Sequence, residues 1–539
     1  MNRFASNPID RYQVTLFRPT LEESVPMDHP VRLYDEILAN CQWSAWENQY
    51  CLLAGQPPIH PRIMAAIILY GLGRGIRSSR VLEYMCCNAM DYIWLAQGHQ
   101  PDHSTLCNFR NRFKKELKDL FRQIAQVAID MKLASLAIVG LDGSRIRANS
   151  SRHSTASEKT IKENLKELDT QIEKIFAEMA DNDGENKDLF GQGSPSKLPV
   201  ELADLKTRQE RLNKALEAVK KKADKAKKKA DNGNNANKAD NADKADKKKK
   251  KDPCVPIADP DGTILPNKEG GYAPNYTVFA TTESKGGFIM DAEVIVGGDE
   301  SQQTLETIDR IEDTFDEKPD NLTADTSFSS GENLAGLEER GVVAYMPQYN
   351  RPDQTNNPAN REDPTKPVPS ENWDKLPRDA QRKKLHRMAF VFDEKQNCYY
   401  CPIGRKLHHL GRNTKPRKHG NAVYQLYRCK DCSGCELSEQ CLNGKSVSRR
   451  VYREQHEELR EAMDERMVSE VGKKLYRQRN WIAETPFAII KSIMNLRQFS
   501  TRGIDNVRTE WLWTCTSFNL AKLVRRIAEL RAEVAKNIA

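Results

Sequence analysis

The stretch Leu136-Ala-Ile-Val-Gly-Leu-Asp142-Gly-Ser144 decides the fold, because the sequence changes there from helical to strand-like. It is a short apolar run that ends in Asp-Gly, and Arg145-Ile-Arg-Ala148 follows it with alternating polar and apolar residues. Short apolar runs bounded by turn residues are typical of buried strands, and Asp-Gly is a turn signal. We therefore predict a β-hairpin whose turn lies at Asp142-Gly143.

The sequence before this strand predicts an all-α N-terminal domain over residues 1–135, with a role in DNA binding or dimerisation. One amphipathic helix is expected from Ser104 or Thr105, as its N-cap, to about residue 122. Its apolar face comprises Leu106, Phe109, Phe113, Leu117 and Leu120. Arg110 and Arg112 are expected off that face. They indicate either a solvated basic surface or a helix that contacts DNA.

The sequence after residue 156 predicts an insertion over residues 157–252. Two heptad patterns favour an antiparallel helical hairpin. They comprise Ile161, Leu165, Leu168, Ile172, Ile175 and Met179, and then Leu202, Leu205, Leu212, Leu216 and Val219. Residues 220–252 are almost wholly Lys, Ala, Asp and Asn, which indicates a solvated helix tail or disorder.

Strand-like and helical segments alternate again between residues 253 and 350. Tyr276-Thr-Val-Phe-Ala280 and residues 287–296 resemble paired strands, and Asn321-Leu-Thr-Ala-Asp325 resembles another. We therefore predict a mixed α/β core built from residues 136–156 and 253–350. Residues 351–451 form a linker and a Cys-rich module, and residues 452–539 are helical.

The net charge of the chain comes from a single segment. The 539 residues include 84 Lys+Arg and 76 Asp+Glu, a net charge of +8. Residues 220–252 hold 14 Lys and 6 Asp, which is also +8, so the rest of the chain is neutral. The global charge is therefore weak evidence for DNA binding. No apolar run approaches the ~18–20 residues that cross a bilayer, and no secretory leader precedes residue 20, which predicts a cytoplasmic protein without membrane partners.

Three acids stand where they could converge on one edge of a sheet. Asp142 and Asp325 each follow an apolar run that reads as a strand, and Glu484 lies near a late helix. Carboxylates suit Mg²⁺, and two such ions can drive phosphodiester displacement. Taken singly, however, Asp142-Gly143 is a turn signal, Asp325 could cap a helix and Glu484 could be a surface charge.

Four sequence blocks in order resemble the DDE transposases encoded by bacterial insertion sequences. Ile138-Val-Gly-Leu-Asp142-Gly-Ser-Arg-Ile-Arg-Ala-Asn149 resembles their first-Asp strand, and Leu322-Thr-Ala-Asp325-Thr-Ser-Phe-Ser-Ser-Gly-Glu-Asn333 their second-Asp block. Tyr476-Arg-Gln-Arg479-Asn-Trp-Ile-Ala-Glu484-Thr-Pro-Phe-Ala-Ile-Ile-Lys491 resembles the Glu-bearing block. The stretch from His60-Pro61 to Arg110 is similar to the branch with a helical N-terminal domain and a Cys-rich insertion.

This resemblance implies an RNase H-like core with a mixed sheet, interrupted by the helical hairpin and the Cys-rich insertion. Asp142, Asp325 and Glu484 would hold two Mg²⁺ (or Mn²⁺) ions and catalyse DNA cleavage and strand transfer. Tyr476, Arg479 and Lys491 would contact the DNA. The partners would be double-stranded transposon-end and target DNA, bound by a homodimer at the bacterial nucleoid.

One spacing departs from the family pattern. Four residues separate Arg479 from Glu484, whereas the family's Tyr-x2-Arg-x3-Glu pattern has three. Lys491 keeps its usual distance of seven residues from Glu484, and Pro486 must fall in a first helical turn or kink the helix. The sequence thus leaves the roles of Tyr476 and Arg479 less defined than those of the acids.

The Cys-rich segment predicts a structural zinc site. Six of the 13 cysteines lie between Cys398 and Cys441, and two Cys-x2-Cys pairs suit a tetrahedral Zn²⁺. The expected ligands are Cys398, Cys401, Cys429 and Cys432. Cys435 and Cys441 could replace one pair, and a cluster of reduced core cysteines is the alternative.

Three other functions compete with that of a transposase. The weakest is a coiled-coil assembly protein whose heptad patterns at 161–219 carry its function, because it would leave the later α/β core without a role. A related nuclease would cut DNA without joining it, and it would use the same three acids. A catalytically silent, transposase-derived protein would only bind DNA, through the N-terminal helices and the Cys-rich module. The presence of Asp142, Asp325 and Glu484 disfavours this last alternative.

Overall fold

The structure is a computed structural model. It describes residues 20–50, 57–185, 200–234, 253–267, 270–349, 351–352, 356–381, 383–416, 421–430, 432–444 and 446–538. The later part of the predicted Lys-rich insert, residues 235–252, lies outside the described residues. Within the described ranges, no helix is both long and apolar enough to cross a membrane.

The helices and strands, numbered in chain order, are as follows. The helices are α1 (Pro30–Ala39), α2 (Ser44–Glu47), α3 (Pro61–Gly73), α4 (Ser79–Asn88), α5 (Met90–Leu95), α6 (His103–Arg112), α7 (Lys114–Asp130), α8 (Glu158–Glu185), α9 (Val200–Asn234), α10 (Gln303–Phe315), α11 (Gly331–Glu339), α12 (Ser438–Cys441), α13 (Glu457–Val468), α14 (Glu470–Arg479), α15 (Thr485–Ser492) and α16 (Ile504–Ile538). The strands are β1 (Ile138–Arg147), β2 (Thr155–Ser157), β3 (Cys254–Pro256), β4 (Thr263–Pro266), β5 (Tyr272–Glu283), β6 (Ile289–Ile295), β7 (Asn321–Thr323), β8 (Val343–Tyr345), β9 (Val391–Asp393), β10 (Cys398–Tyr400), β11 (Lys406–Pro416), β12 (Asn421–Cys429) and β13 (Arg450–Glu454). Short 3₁₀ helices span Thr326–Phe328, Ser370–Lys375 and Arg387–Ala389, and a π-helix spans Asn480–Glu484.

The chain forms two compact units. The helical unit comprises Met1–Ser135, Val278–Val294 and Glu484–Ala539, and the sheet unit comprises Leu136–Thr277 and Ile295–Ala483.

In the helical unit, α16 packs against α1, α3 and α7. The indole of Trp513 is buried beside Trp46 and Phe109, which accounts for the apolar character of this part of the sequence. The helix predicted over residues 104–122 is two helices, which is a correction. The first helix begins two or three residues earlier than predicted, because Asp102 is the N-cap and accepts from the Thr105 amide. Phe113 separates α6 from α7.

In the sheet unit the strand order is β4-β5-β1-β7-β8. Strands β1, β7 and β8 run parallel, whereas β4 and β5 are antiparallel, so the predicted mixed α/β class is confirmed. The predicted hairpin at Asp142-Gly143 is wrong, because β1 continues through both residues to Arg147. Pairing with neighbouring strands satisfies the backbone along β1 and outweighs the local turn preference of Asp-Gly.

Helices α8 and α9 pack on each other and on the small β2–β3 sheet. Their shared core contains residues from both heptad patterns, as predicted. It comprises Ile161, Leu168, Ile172, Leu212 and Val219, with Leu165, Ile175, Leu205 and Leu216 partly buried against it. The side chains of Met179 and Leu202 are outside the described residues.

The Cys-rich module contains a five-stranded antiparallel sheet in the order β13-β12-β11-β10-β9. Leu407, Tyr427 and Val451 point from successive strands into one apolar core. The module therefore has a hydrophobic core of its own, which small domains need for stable folding.

Candidate active site

The parallel pairing of β1 and β7 places two of the predicted acids at the same edge of the sheet. The register pairs Gly140 with Thr323. Asp142 follows Gly140 by two residues, and Asp325 follows Thr323 by two residues. Both aspartates therefore follow the last residue pair of the β1–β7 ladder by the same distance, although β1 itself continues to Arg147.

Local hydrogen bonds fix the orientation of Asp325. It is the N-cap of the 3₁₀ helix Thr326–Phe328, and its Oδ1 accepts from the amide and the hydroxyl of Ser327 at 2.7 and 2.6 Å. The capping role that the sequence left open is thus present. Because both hydrogen bonds use Oδ1, the Oδ2 atom of Asp325 can make other contacts.

Glu300 is a third acid at this edge, and the sequence analysis missed it. The Ser327 hydroxyl donates to Glu300 Oε2 at 3.5 Å and so connects Glu300 to Asp325. Burial and the charges of Asp325 and Asp142 raise the pKa of Glu300, while Arg145 and the Ser327 hydrogen bond oppose the rise. The sequence does offer a clue to Glu300, because this acid shortly follows the apolar run of β6 and the Gly297-Gly298 pair.

Tyr476 and Arg479 on α14 lie beside the same acids. Arg479 Nη2 is 3.2 Å from Asp142 Oδ1, and both side chains are mostly buried. Burial raises the pKa of the Tyr476 hydroxyl; Arg479 lowers it, and Asp325 and Asp142 raise it further. An arginine and a tyrosine one helical turn apart thus face the paired aspartates.

Glu484 is the last residue of the π-helix that follows α14, and α15 begins immediately after it. A π-helical turn holds more residues than an α-helical turn. The spacing from Arg479 to Glu484 is one residue longer than in the family pattern, and a π-helical turn can accommodate this extra residue. Pro486 lies in the first turn of α15, where its missing N–H costs nothing, and Lys491 lies in the last turn.

Glu484 and Lys491 belong to the helical unit, whereas Asp142, Asp325, Tyr476 and Arg479 belong to the sheet unit. The structure thus groups the last four. The assignment of Glu484 and Lys491 rests on the sequence motif. In the described part of the chain, no three His, Cys, Asp or Glu side chains form a group arranged to hold a metal ion.

Arg110 does not lie on a basic surface, which corrects the sequence expectation. It is buried, its guanidinium donates to the Arg77 carbonyl at 3.1 Å, and its own carbonyl accepts from the Trp513 indole. Burial also lowers the pKa of Arg110. Arg112 is exposed, but its guanidinium donates to the Gln49 carbonyl and stacks on Tyr50.

Cys398 lies outside the cysteine cluster, which corrects the predicted ligand set. Five other cysteines line one small cavity with Arg405 and Arg449: Cys401, Cys429, Cys432, Cys435 and Cys441. Cys398 instead hydrogen bonds with the Tyr400 side chain.

Backbone amides donate to two thiols of this cavity. The Arg405 amide is 3.2 Å from Cys401 Sγ, and the Arg449 amide is 3.5 Å from Cys432 Sγ. Burial raises the pKa of Cys441 to about 12, with smaller contributions of the same sign from Cys432, Cys401 and Cys435. Burial likewise raises the pKa of the Cys401 thiol.

Comparisons with known proteins match two separate parts of the chain to transposase families. Residues 400–524 match a transposase DDE domain family, and residues 19–112 match a transposase domain family. The first match includes the cysteine cavity, Tyr476, Arg479, Glu484 and Lys491.

A search of solved structures finds one described as a cryo-EM structure of the piggyBac transposase synaptic complex with hairpin DNA. It is 10% identical, with a TM-score of 0.30, and the alignment covers 92% of this chain and 76% of that one. That similarity is too low to establish a shared fold. No curated protein matches the chain. The chain is thus similar to transposase families in two separate segments, one near its start and one in its later part.

Proposed function

We propose that this protein is a transposase that binds the ends of its own transposon and catalyses metal-dependent cleavage and strand transfer through Asp142, Asp325 and Glu484. The observation that carries the proposal is the register of β1 and β7, which sets Asp142 and Asp325 side by side. An RNase H-like core is proposed with them, on the basis of the parallel β1-β7-β8 arrangement and the family motifs.

The donor set suits a divalent cation. Asp142, Asp325 and Glu300 supply hard oxygen ligands. Burial, followed by the charges of Asp325 and Asp142, raises the pKa of Glu300. Two bound Mg²⁺ or Mn²⁺ ions would activate the attacking oxygen and neutralise the leaving one. Within the chain itself, Asp142 and Asp325 would hold the cations, with Glu484 contributed from the start of α15.

Arg479 would exchange partners when DNA binds. Without DNA its guanidinium neutralises Asp142. A phosphate offers a guanidinium the same bidentate geometry as a carboxylate, so transposon-end DNA would draw Arg479 away and leave Asp142 to a cation. Tyr476 beside it and Lys491 on α15 would contact the same DNA strand.

The test is an assay of cleavage and strand transfer on duplex DNA that carries the element's inverted repeats, with Mg²⁺ or Mn²⁺. Asp142→Asn, Asp325→Asn and Glu484→Gln keep side-chain shape, and each is expected to abolish both reactions while DNA binding persists. Asp320→Asn is the matched control, because Asp320 is exposed and precedes β7 at its opposite end. Full cutting by any of the three variants would refute the assignment.

The same assay separates the alternatives. Wild-type protein that cuts but never joins is a nuclease. Wild-type protein that binds the repeats without cutting them is a transposase-derived binding protein.

Further parts of the proposal concern assembly and location. Two transposon ends held together need two active sites, so we propose a homodimer acting at the bacterial nucleoid. Sedimentation of the protein with and without end DNA tests this. A strictly monomeric complex containing both ends would contradict it.

A structural Zn²⁺ is proposed for four cysteines of the cavity: Cys401, Cys432, Cys435 and Cys441. The two amide-to-sulfur hydrogen bonds are the contacts that stabilise thiolate ligands, and ion binding would draw the sulfurs together. Elemental analysis tests the set. Cys441→Ser should lower the zinc content, and Cys398→Ser should leave it unchanged.

A further inference from the structure

One face of the Cys-rich module's sheet carries a row of basic side chains across three neighbouring strands. The register of β11, β12 and β13 sets His408 opposite Arg428, and Arg428 opposite Arg450. We call the face that bears these three side chains the outer face. The residues next to them, Leu407, Tyr427 and Val451, are buried on the inner face.

The arrangement is unfavourable for the folded protein alone. Side chains directly opposite on antiparallel strands have Cβ atoms only ~4.5–5.5 Å apart, and like charges there destabilise a sheet. Arg428 and Arg450 form such a pair. In the described residues neither forms an ion pair, and Arg428 Nε donates to the Ser448 hydroxyl at 2.7 Å.

The outer face continues beyond the cations as an aromatic surface. Tyr424 and Tyr452 are neighbours on β12 and β13 with ring centroids 5.1 Å apart, and Tyr452 is exposed. Glu454 lies at the far end of this face, where Arg460 pairs with it at 3.3 Å. Residues 398–450 contain 11 Lys+Arg and 3 Asp+Glu, so the surrounding sequence is basic as well.

We propose that the outer face binds the phosphate backbone of duplex DNA, with Arg428 and Arg450 on adjacent phosphates. Phosphates would relieve the repulsion within the row. Contacts to phosphates do not read the base sequence, so they do not require side chains that reach the base edges. A flat sheet face is therefore sufficient. The inference rests on the proposed function for the identity of its partner, DNA. It adds a second contact surface that is separate from the acids.

The test measures the affinity of the full-length protein for a random-sequence duplex as a function of salt concentration, without divalent cations. Each lost phosphate contact reduces the slope of log K against log [salt] by about 0.9. Arg428→Gln/Arg450→Gln should therefore reduce the slope by about 1.8, and Arg428→Lys/Arg450→Lys should restore most of it.

The matched control is Lys375→Gln/Lys395→Gln, which removes two exposed cations of the same module away from the outer face. An unchanged slope in the arginine double variant overturns the proposal, and so does an equal reduction in the control. Urea unfolding establishes that both variants are folded. Because the assay involves no catalysis, an inactive active site would leave its result unaffected. Asp142→Asn, conversely, should abolish DNA cleavage but leave the slope of log K against log [salt] unchanged.

Discussion

Gly140 is the position at which a single added methyl group should disturb the candidate active site. It lies on β1 two residues before Asp142, opposite Thr323. A Cβ atom there would stand 2.8 Å from Ile482 Cγ2, 3.3 Å from Ile482 Cβ and 3.3 Å from Thr323 Oγ1. Ile482 is fully buried in the π-helix, so it has little room to retreat.

We expect Gly140→Ala to lower the free energy of unfolding by about 1–3 kcal/mol, the usual cost of overpacking a core. The same displacement would move the π-helix away from β1. Because Arg479 precedes that π-helix directly, its ion pair with Asp142 would lengthen. Cleavage of end DNA should therefore fall more than stability alone explains. Urea unfolding and the cleavage assay measure the two effects.

Ile482→Leu provides the control, because leucine lacks the branch methyl that the new Cβ would meet. Alone it should cost less than about 1.5 kcal/mol. Combined with Gly140→Ala it should recover part of the loss, with a coupling energy of roughly 0.5–3 kcal/mol. Wild-type stability and activity in Gly140→Ala, or strictly additive effects in the double variant, would refute the packing argument.

Three further predictions concern single side chains. Arg110→Gln should lower the free energy of unfolding by about 1–3 kcal/mol, because the buried Arg77 carbonyl loses its donor. DNA affinity measured by anisotropy on folded protein should be unchanged, and a selective loss of affinity would contradict the structure. Burial, followed by the neighbouring Arg387 and Arg351, lowers the pKa of His386 to about 4. The folded state therefore resists protonation, and stability should fall as the pH drops from about 6.5 to 4; His386→Asn should flatten that part of the urea-midpoint profile. Arg479→Gln should raise the affinity for Mg²⁺ without DNA, because its guanidinium no longer competes for Asp142, yet reduce strand transfer. Calorimetry showing unchanged Mg²⁺ affinity would contradict the competition.

The sequence predicted those features that depend on periodicity within one element. The heptad patterns identified Ile161, Leu168 and Leu212 correctly, because a helix of period 3.6 brings such residues to one face whatever its neighbours are. The strand around Asp142 was predicted from its short apolar run, which is also a property of one element.

Features that depend on tertiary contacts could not be predicted in this way. Nothing local distinguishes Asp142-Gly143 in a continuous strand from the same pair in a turn, since the strands on either side decide between them. Arg110 is polar and off the apolar stripe, yet contact with Arg77 and Trp513 buries it. Cys398 and Cys401 have the spacing of a ligand pair, yet only Cys401 lines the cysteine cavity.

The departure from the family spacing and the π-helix are best understood together. An extra residue between Arg479 and Glu484 in a regular α-helix would rotate everything after it by about 100° and shift it by about 1.5 Å. Glu484 would then leave the face on which Tyr476 and Arg479 lie. A π-helical turn absorbs the additional residue locally, and π-turns of this kind are frequent at functional sites. The spacing that weakened the motif in the sequence thus coincides with an irregularity that can preserve the motif's geometry. The proposal of Glu484 as the third carboxylate rests on the sequence motif, and the cleavage assay of Glu484→Gln tests it.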